Sequence, residues 1–221
     1  MDIKKLFRDS YDSLSGMWGI AIGGVLIYTL ISVVLNFIAG IIAGIIAVNV
    51  TPDTLSEAEA EILSQGISTL TSLPISIFIA PPLVVGLLIF SLNVSRNSEP
   101  EISDLFLGFK KQWGKYILAN LLLGFLLSVG FILLIIPGII AALMFSQVFY
   151  ILAEDDDIGV VEAFQKSTSM MKGNKTSLFL VYLINFGISL LGLLTCCIGF
   201  IWIIPYTSVV LAKFYDEVSN K

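Results

Sequence analysis

The 221-residue chain contains no histidine and only two cysteines, which are adjacent at Cys196 and Cys197. The missing histidine removes the commonest proton shuttle and metal ligand. Neighbouring cysteines rarely bridge, because a disulfide between them demands a distorted peptide unit. No disulfide framework, CxxC site, phosphate-binding glycine loop or nucleophile elbow is present. Charge is scarce too: charged residues make up 13% of the chain and hydrophobic residues 57%, where a soluble domain carries about 25% charge. A soluble domain, a disordered chain and a nucleic-acid binder are therefore excluded. No ionisable group other than tyrosine lies deep in any span, which argues against an ion-coupled pump. A nucleophile paired with a base is missing as well, so no catalytic residue, cofactor or metal is expected and the chain reads as non-enzymatic.

Four tracts lack any Asp, Glu, Lys or Arg: 17–52, 62–95, 116–153 and 176–212. Together they form about two thirds of the protein, and one membrane crossing needs roughly 20 apolar residues. The third tract is too long for one crossing and carries Pro137-Gly138, a turn signal that divides it into helices at about 116–136 and 138–154. The fourth divides near Thr195–Gly199, giving about 176–194 and 198–215. The first has no proline before Pro52 and reads as one long helix. The second reads as one crossing bent by Pro74, Pro81 and Pro82. The expected fold is an all-α membrane protein with six transmembrane helices in one polytopic domain, 1–221. Eight crossings, with the first two tracts also folded into hairpins, is the rival.

Basic residues set the orientation. Lys4, Lys5 and Arg8 precede the first tract; Arg96, Lys110, Lys111 and Lys115 follow the second; Lys166, Lys172 and Lys175 follow the third; Lys213 and Lys221 close the chain. Segment 53–61 carries only acids, so the positive-inside rule places it outside and both termini in the cytoplasm. The eight-crossing rival would put that segment inside.

Each pair of crossings follows a short amphipathic stretch. Ile3, Leu6, Phe7, Tyr11 and Leu14 share a helical side; so do Ile102, Leu105, Phe106 and Phe109, and then Ile158, Val161, Phe164, Thr168 and Met171. Such helices lie in the headgroup plane. Three short interfacial helices over 3–14, 102–110 and 158–171 are expected. With Pro82, Pro137 and Pro205 in the outer halves of the even crossings, they suggest a threefold internal repeat with units 1–95, 102–153 and 158–221. The bland alternative is that Pro, Trp and Gly simply favour membrane interfaces.

Several residues are candidates for function. Lys172 and Lys175 in Met171-Lys172-Gly173-Asn174-Lys175, together with Lys166, could clamp a lipid phosphate, while Gly-Asn alone suits a helix end and turn. Asn120, Gln147 and Asn185 either line a solute path or hydrogen-bond between helices. Glu154-Asp155-Asp156-Asp157 offers oxygen ligands, but consecutive side chains fan out, and the run reads better as capping acids before the third amphipathic helix. Gly19-xxx-Gly23 and Gly40-xxx-Gly44 permit close helix packing, within the chain or in a homo-oligomer. Pro205 removes an amide donor and frees a carbonyl near Ile201, so a bend or local unwinding is expected there, with Tyr206 or Thr207 as candidate bonding partners.

From Glu154 to Tyr215 the chain resembles a bacterial family of polytopic integral membrane proteins classed as a domain of unknown function. The matching residues are Ser167, Met171-Lys172-Gly173-Asn174-Lys175, Leu178-Phe179, Tyr182-Leu183, Leu194-Thr195, Ile198-Gly199-Phe200, Trp202, Pro205-Tyr206, Ala212 and Phe214-Tyr215. Cys196-Cys197 departs from that pattern. The resemblance implies a multi-pass protein of the bacterial cytoplasmic membrane and brings no activity. Two functions are compatible with the sequence: a membrane-organising protein that binds lipid or an envelope partner, and a passive carrier or exporter of a lipid-like or apolar solute.

Overall fold

The computed structural model describes residues 2–50, 55–110, 112–195 and 198–220. Cys196-Cys197, Lys111, Lys221 and the first part of the acidic segment at Asp53 lie outside the described residues. Among the described residues the regular structure is entirely helical. Helix α1 spans Ile3–Leu14 and α2 spans Trp18–Val50. Helix α3, Glu57–Pro74, runs through a π-helical segment, Ile75–Ile79, into α4, Ala80–Ser95. A 3-10 turn at Ile102–Phe106 leads to α5, Leu107–Lys110. Helix α6, Trp113–Leu133, turns into α7, Ile135–Phe145, and α8, Val148–Glu154. Helix α9 is Val160–Met170, α10 is Lys175–Leu194 and α11 is Phe200–Ser219.

Five of these helical stretches are long and apolar enough to cross a membrane: Trp18–Val50, Glu57–Ser95, Trp113–Leu133, Ile135–Glu154 and Lys175–Leu194. The first two tracts are each one continuous helical run, as read from the sequence. Glu57–Ser95 also takes in part of the acidic segment expected as a loop. There the carboxylate of Glu59 accepts hydrogen bonds from the Ser56 amide (3.0 Å) and hydroxyl (2.6 Å) and starts the helix. The break in the third tract falls at Leu134, which is extended, and not at Pro137-Gly138. Pro137 sits in the first turn of α7, where its missing amide costs no helical bond. Gly138 instead allows close approach, its Cα meeting the space a Cβ on Gly130 would need at 3.1 Å.

The amphipathic segments turn much of their apolar surface into the bundle. Leu6 joins Met171, Leu178, Val210 and Phe214 in one buried cluster. Leu14 and Leu105 join Phe90, Val94 and Val209 in another. Ala163 and Phe164 join Tyr116, Ile151 and Tyr215 in a third. Val161, expected on the apolar side, is exposed, and its neighbour Val160 is buried, one helical position away. Helix α4 packs against α1, α2, α5, α6, α8 and α11. Two glycines make its contact with the 102–110 segment possible. A Cβ on Gly86 would lie 1.9 Å from the Leu105 carbonyl oxygen, and one on Gly108 would lie 2.0 Å from that of Pro82. Among the described residues, Gly19, Gly23, Gly40 and Gly44 of the two GxxxG patterns have no neighbour within 4 Å of a built Cβ, so these four positions support no close helix contact there.

Candidate functional site: a cationic groove and a charged hub

The Met171-to-Lys175 stretch is a compact corner between α9 and α10. Met171 is fully buried. Gly173 takes φ +83°, a left-handed conformation that favours glycine. Asn174 donates its side-chain amide to the Met170 carbonyl at 2.9 Å, and its own backbone amide bonds the Met171 carbonyl. With these three residues fixing the corner, Lys172 and Lys175 remain on its surface. Both line the rim of a groove of about 670 Å³ walled by Leu122, Leu126, Phe145 and Phe164. Lys166 does not line it. The groove side of α9 carries Val161, Phe164, Gln165, Thr168 and Ser169, with Lys172 just beyond the helix, and Lys166 is turned about 100° from Gln165. Of the three lysines grouped by sequence, two meet at one site.

Ser167, one turn earlier on α9, is fully buried and repairs a break in the fourth crossing. Helices α7 and α8 are interrupted at Ser146–Gln147. The Ser167 hydroxyl donates to the Met144 carbonyl at 2.7 Å and accepts the Gln147 amide at 3.3 Å. Two backbone groups released by the break are thus satisfied by one side chain of the neighbouring helix.

The expected polar residues of the spans do not meet at one site. Asn120 donates to the Ser76 carbonyl in the π-helical segment at 3.4 Å. Gln147 is buried at the α7–α8 break, where its amide nitrogen bonds Ser146 at 2.8 Å. Asn185 is buried in α10. The side-chain oxygens of Gln147 and Asn185 have no hydrogen-bond partner among the described residues. At Pro205 the expected unwinding is absent: α11 runs continuously from Phe200 to Ser219. Pro205 is the sixth residue of α11, past its first turn, so the Ile201 carbonyl loses its helical donor while the helix continues. Tyr206 does not supply the bond to the freed carbonyl. Its phenol reaches the Phe7 carbonyl of α1 at 3.0 Å, and the two rings lie 6.2 Å apart. Thr207 and Ser208 both donate to the Ile204 carbonyl.

Sequence reasoning missed a charged hub at the ends of α4, α8 and α11. Arg96 pairs with Glu154 and Asp216 through one guanidinium nitrogen, and its Nε donates to Asp216 at 3.0 Å. The Tyr215 hydroxyl donates to Glu154 at 2.6 Å, and Tyr215 stacks on Tyr150 at 4.9 Å. Ser95 donates to Asp216 at 3.2 Å, and Ser13 of α1 donates to the Ser95 carbonyl at 3.1 Å. Hydrogen bonding to Asp216 is the main influence raising the Arg96 guanidinium above its ordinary value, with burial opposing it and Glu154 adding to it. A planar guanidinium suits a junction of two carboxylates better than an ammonium does. The only sequence hint is that the chain has two arginines, Arg8 and Arg96, against ten lysines.

The acidic run is divided among separate tasks. Glu154 belongs to the hub. The Asp155 carboxylate accepts the amides of Asp157 and Ile158 at 3.1 and 3.2 Å, turning the chain. The Asp156 carbonyl accepts a bond from Lys115 at 2.8 Å. The cap of α9 falls to Gly159 and not to an acid. Among the described residues no group of His, Cys, Asp and Glu is placed to hold a metal ion.

Residues 126–221 match the family model described as "Protein of unknown function (DUF975)". The match contains both the groove corner and two of the three hub residues, Glu154 and Asp216, and it begins well before the Glu154–Tyr215 resemblance. Neither the curated proteins nor the solved structures hold a match to the chain.

Proposed function

We propose that this chain is a non-enzymatic, multi-pass protein of the bacterial cytoplasmic membrane that organises lipid, or a partner of the cell envelope, at the inner leaflet. The observation that carries this reading is the closed construction of the charged end. Three amphipathic segments, the hub and three apolar clusters fill the space where the crossings meet. Asn120, Gln147 and Asn185 serve separate local positions and form no shared polar path. Helix α11, 20 residues long with Lys213, Asp216 and Glu217 in its last turns, then makes the sixth crossing. Both termini lie in the cytoplasm with the amphipathic segments. The recurring order of amphipathic segment and two crossings supports a threefold origin of the fold.

Two measurements test this. In a variant lacking the native cysteines, Glu57→Cys should react with an impermeant maleimide from outside, and Ser103→Cys should not. Reaction of both from one side would overturn the topology. In proteoliposomes, flux of a fluorescent phospholipid or an apolar dye should match that of protein-free vesicles. Flux well above that background would make the protein a passive carrier instead.

A further inference from the structure

We infer that the groove between α6 and α9 is a binding site for one anionic phospholipid, its phosphate between Lys172 and Lys175 and an acyl chain along Leu122, Leu126 and Phe164. This deepens the lipid-organising reading and rests on it. The volume of about 670 Å³ falls in the range of built ligand sites, roughly 300–1,000 Å³. The wall is apolar while the rim is cationic, which is the polarity of a lipid. Neither Lys172 nor Lys175 has a carboxylate within salt-bridge distance among the described residues, in contrast to Arg96. The two charges are left for a ligand. Lys175 is also the first residue of the 20-residue α10, and Asn174 before it spends its side chain on Met170 and not on the helix start. The opening amides of α10 and the positive end of its dipole therefore sit beside Lys175, an arrangement that favours a phosphate. The corner is held rigid by buried Met171, left-handed Gly173 and Ser167, so the two cations are positioned before a ligand arrives.

The occupant is a phospholipid and not a soluble phosphate, because most of the groove wall is hydrocarbon. It is anionic, because two unpaired cations face one headgroup. Native mass spectrometry of the full chain in micelles doped with phosphatidylglycerol or phosphatidylcholine tests the assignment. Wild type should retain phosphatidylglycerol preferentially. Lys172→Gln with Lys175→Gln should lower that retention about 10- to 30-fold while leaving phosphatidylcholine unchanged. Leu126→Trp, which fills the groove, should lower retention of both lipids. Lys166→Gln should change nothing. A thermal melt of each variant shows whether it is folded, and the lysine pair, outside the buried clusters, keeps the test valid if Leu126→Trp is not. Full retention in the lysine double variant overturns the site. So does equal loss with Lys166→Gln, which would signal diffuse surface charge, or displacement by glycerol phosphate as effective as by the phospholipid. Flux in proteoliposomes would overturn the organising role and leave this retention result standing.

Discussion

The two ends of the bundle are built on different principles. At the end carrying the amphipathic segments, helices from all three pairs meet: Arg96, Glu154 and Asp216 join α4, α8 and α11, and buried side chains fill the space between them. Toward the opposite end the helices are held mainly within each pair, α2 with α3, α6 with α7 and α10 with α11. No residue of α3 is buried, and Ile45, Val48, Ile132, Leu133, Leu194 and Ile198 are all exposed. Length reinforces the contrast. The 33-residue α2 measures about 50 Å, well beyond the roughly 30 Å hydrocarbon core, whereas α10 with 20 residues just matches it. Association between helices in lipid gains little from the hydrophobic effect. The charged end is therefore fastened by polar bonds and close packing, and the other end needs only to be compatible with lipid.

Glycine substitutions should show the contrast most strongly. Gly86→Ala and Gly108→Ala drive a Cβ into a backbone carbonyl, with no flexible side chain to yield, and should destabilise by about 3 kcal/mol or more. Gly40→Ala and Gly44→Ala meet open space and should be neutral or stabilising by up to about 1 kcal/mol. Thermal unfolding in one detergent compares all four. An equal effect from both sets would erase the distinction between the ends.

Removing the Ser167 hydroxyl should come next. Ser167→Ala orphans the Met144 carbonyl and the Gln147 amide in a buried setting, at a cost of about 2 kcal/mol. Hydrogen exchange should rise at Gln147 and not in α10. Arg96→Gln should cost about 1–2 kcal/mol, the hub being partly open to solvent. Adding Glu154→Gln and Asp216→Asn should recover part of that loss, because the repelling carboxylates are gone. No recovery would mean that the arginine acts through packing alone.

The smallest effect belongs to the start of α3. Hydrogen bonds from the Ser56 hydroxyl, then from its amide, hold the Glu59 carboxyl below its ordinary value. Its contribution is present above the unfolded-state pKa and disappears as pH falls through the lowered folded value. Acidification should therefore fray residues 57–60, read by hydrogen exchange. Glu59→Gln should remove that pH dependence and leave the hub untouched.

The difference between the ends also explains what the sequence made legible. Charge-free tracts report helix length and membrane residence directly, so α2, Glu57–Ser95, α6, α10 and their order were readable. Pro137 misplaced a turn because proline is as much at home in a first helical turn as in a loop, and the deciding feature, extended Leu134, has no distinctive side chain. The cationic corner was readable because Lys172 and Lys175 are close in sequence. Lys166 lies off the groove that these two line, since nearness along a helix does not specify direction around it. Hub partners are separated by 58 and 120 residues, and no local pattern connects them. Tyr206 was misread for a similar reason: its partner, Phe7, lies 199 residues away.

The hub also sets an order of events during synthesis. Arg96 precedes Glu154 by 58 residues and Asp216 by 120, so synthesis presents the guanidinium before either carboxylate. The guanidinium is thus made before α6 and α7, gains one carboxylate with α8, and receives the second with α11. Until Asp216 is made, Ser95 and Arg96 lack the carboxylate that both of them bond in the finished fold. Synthesis as far as α11 is thereby written into the geometry of one side chain.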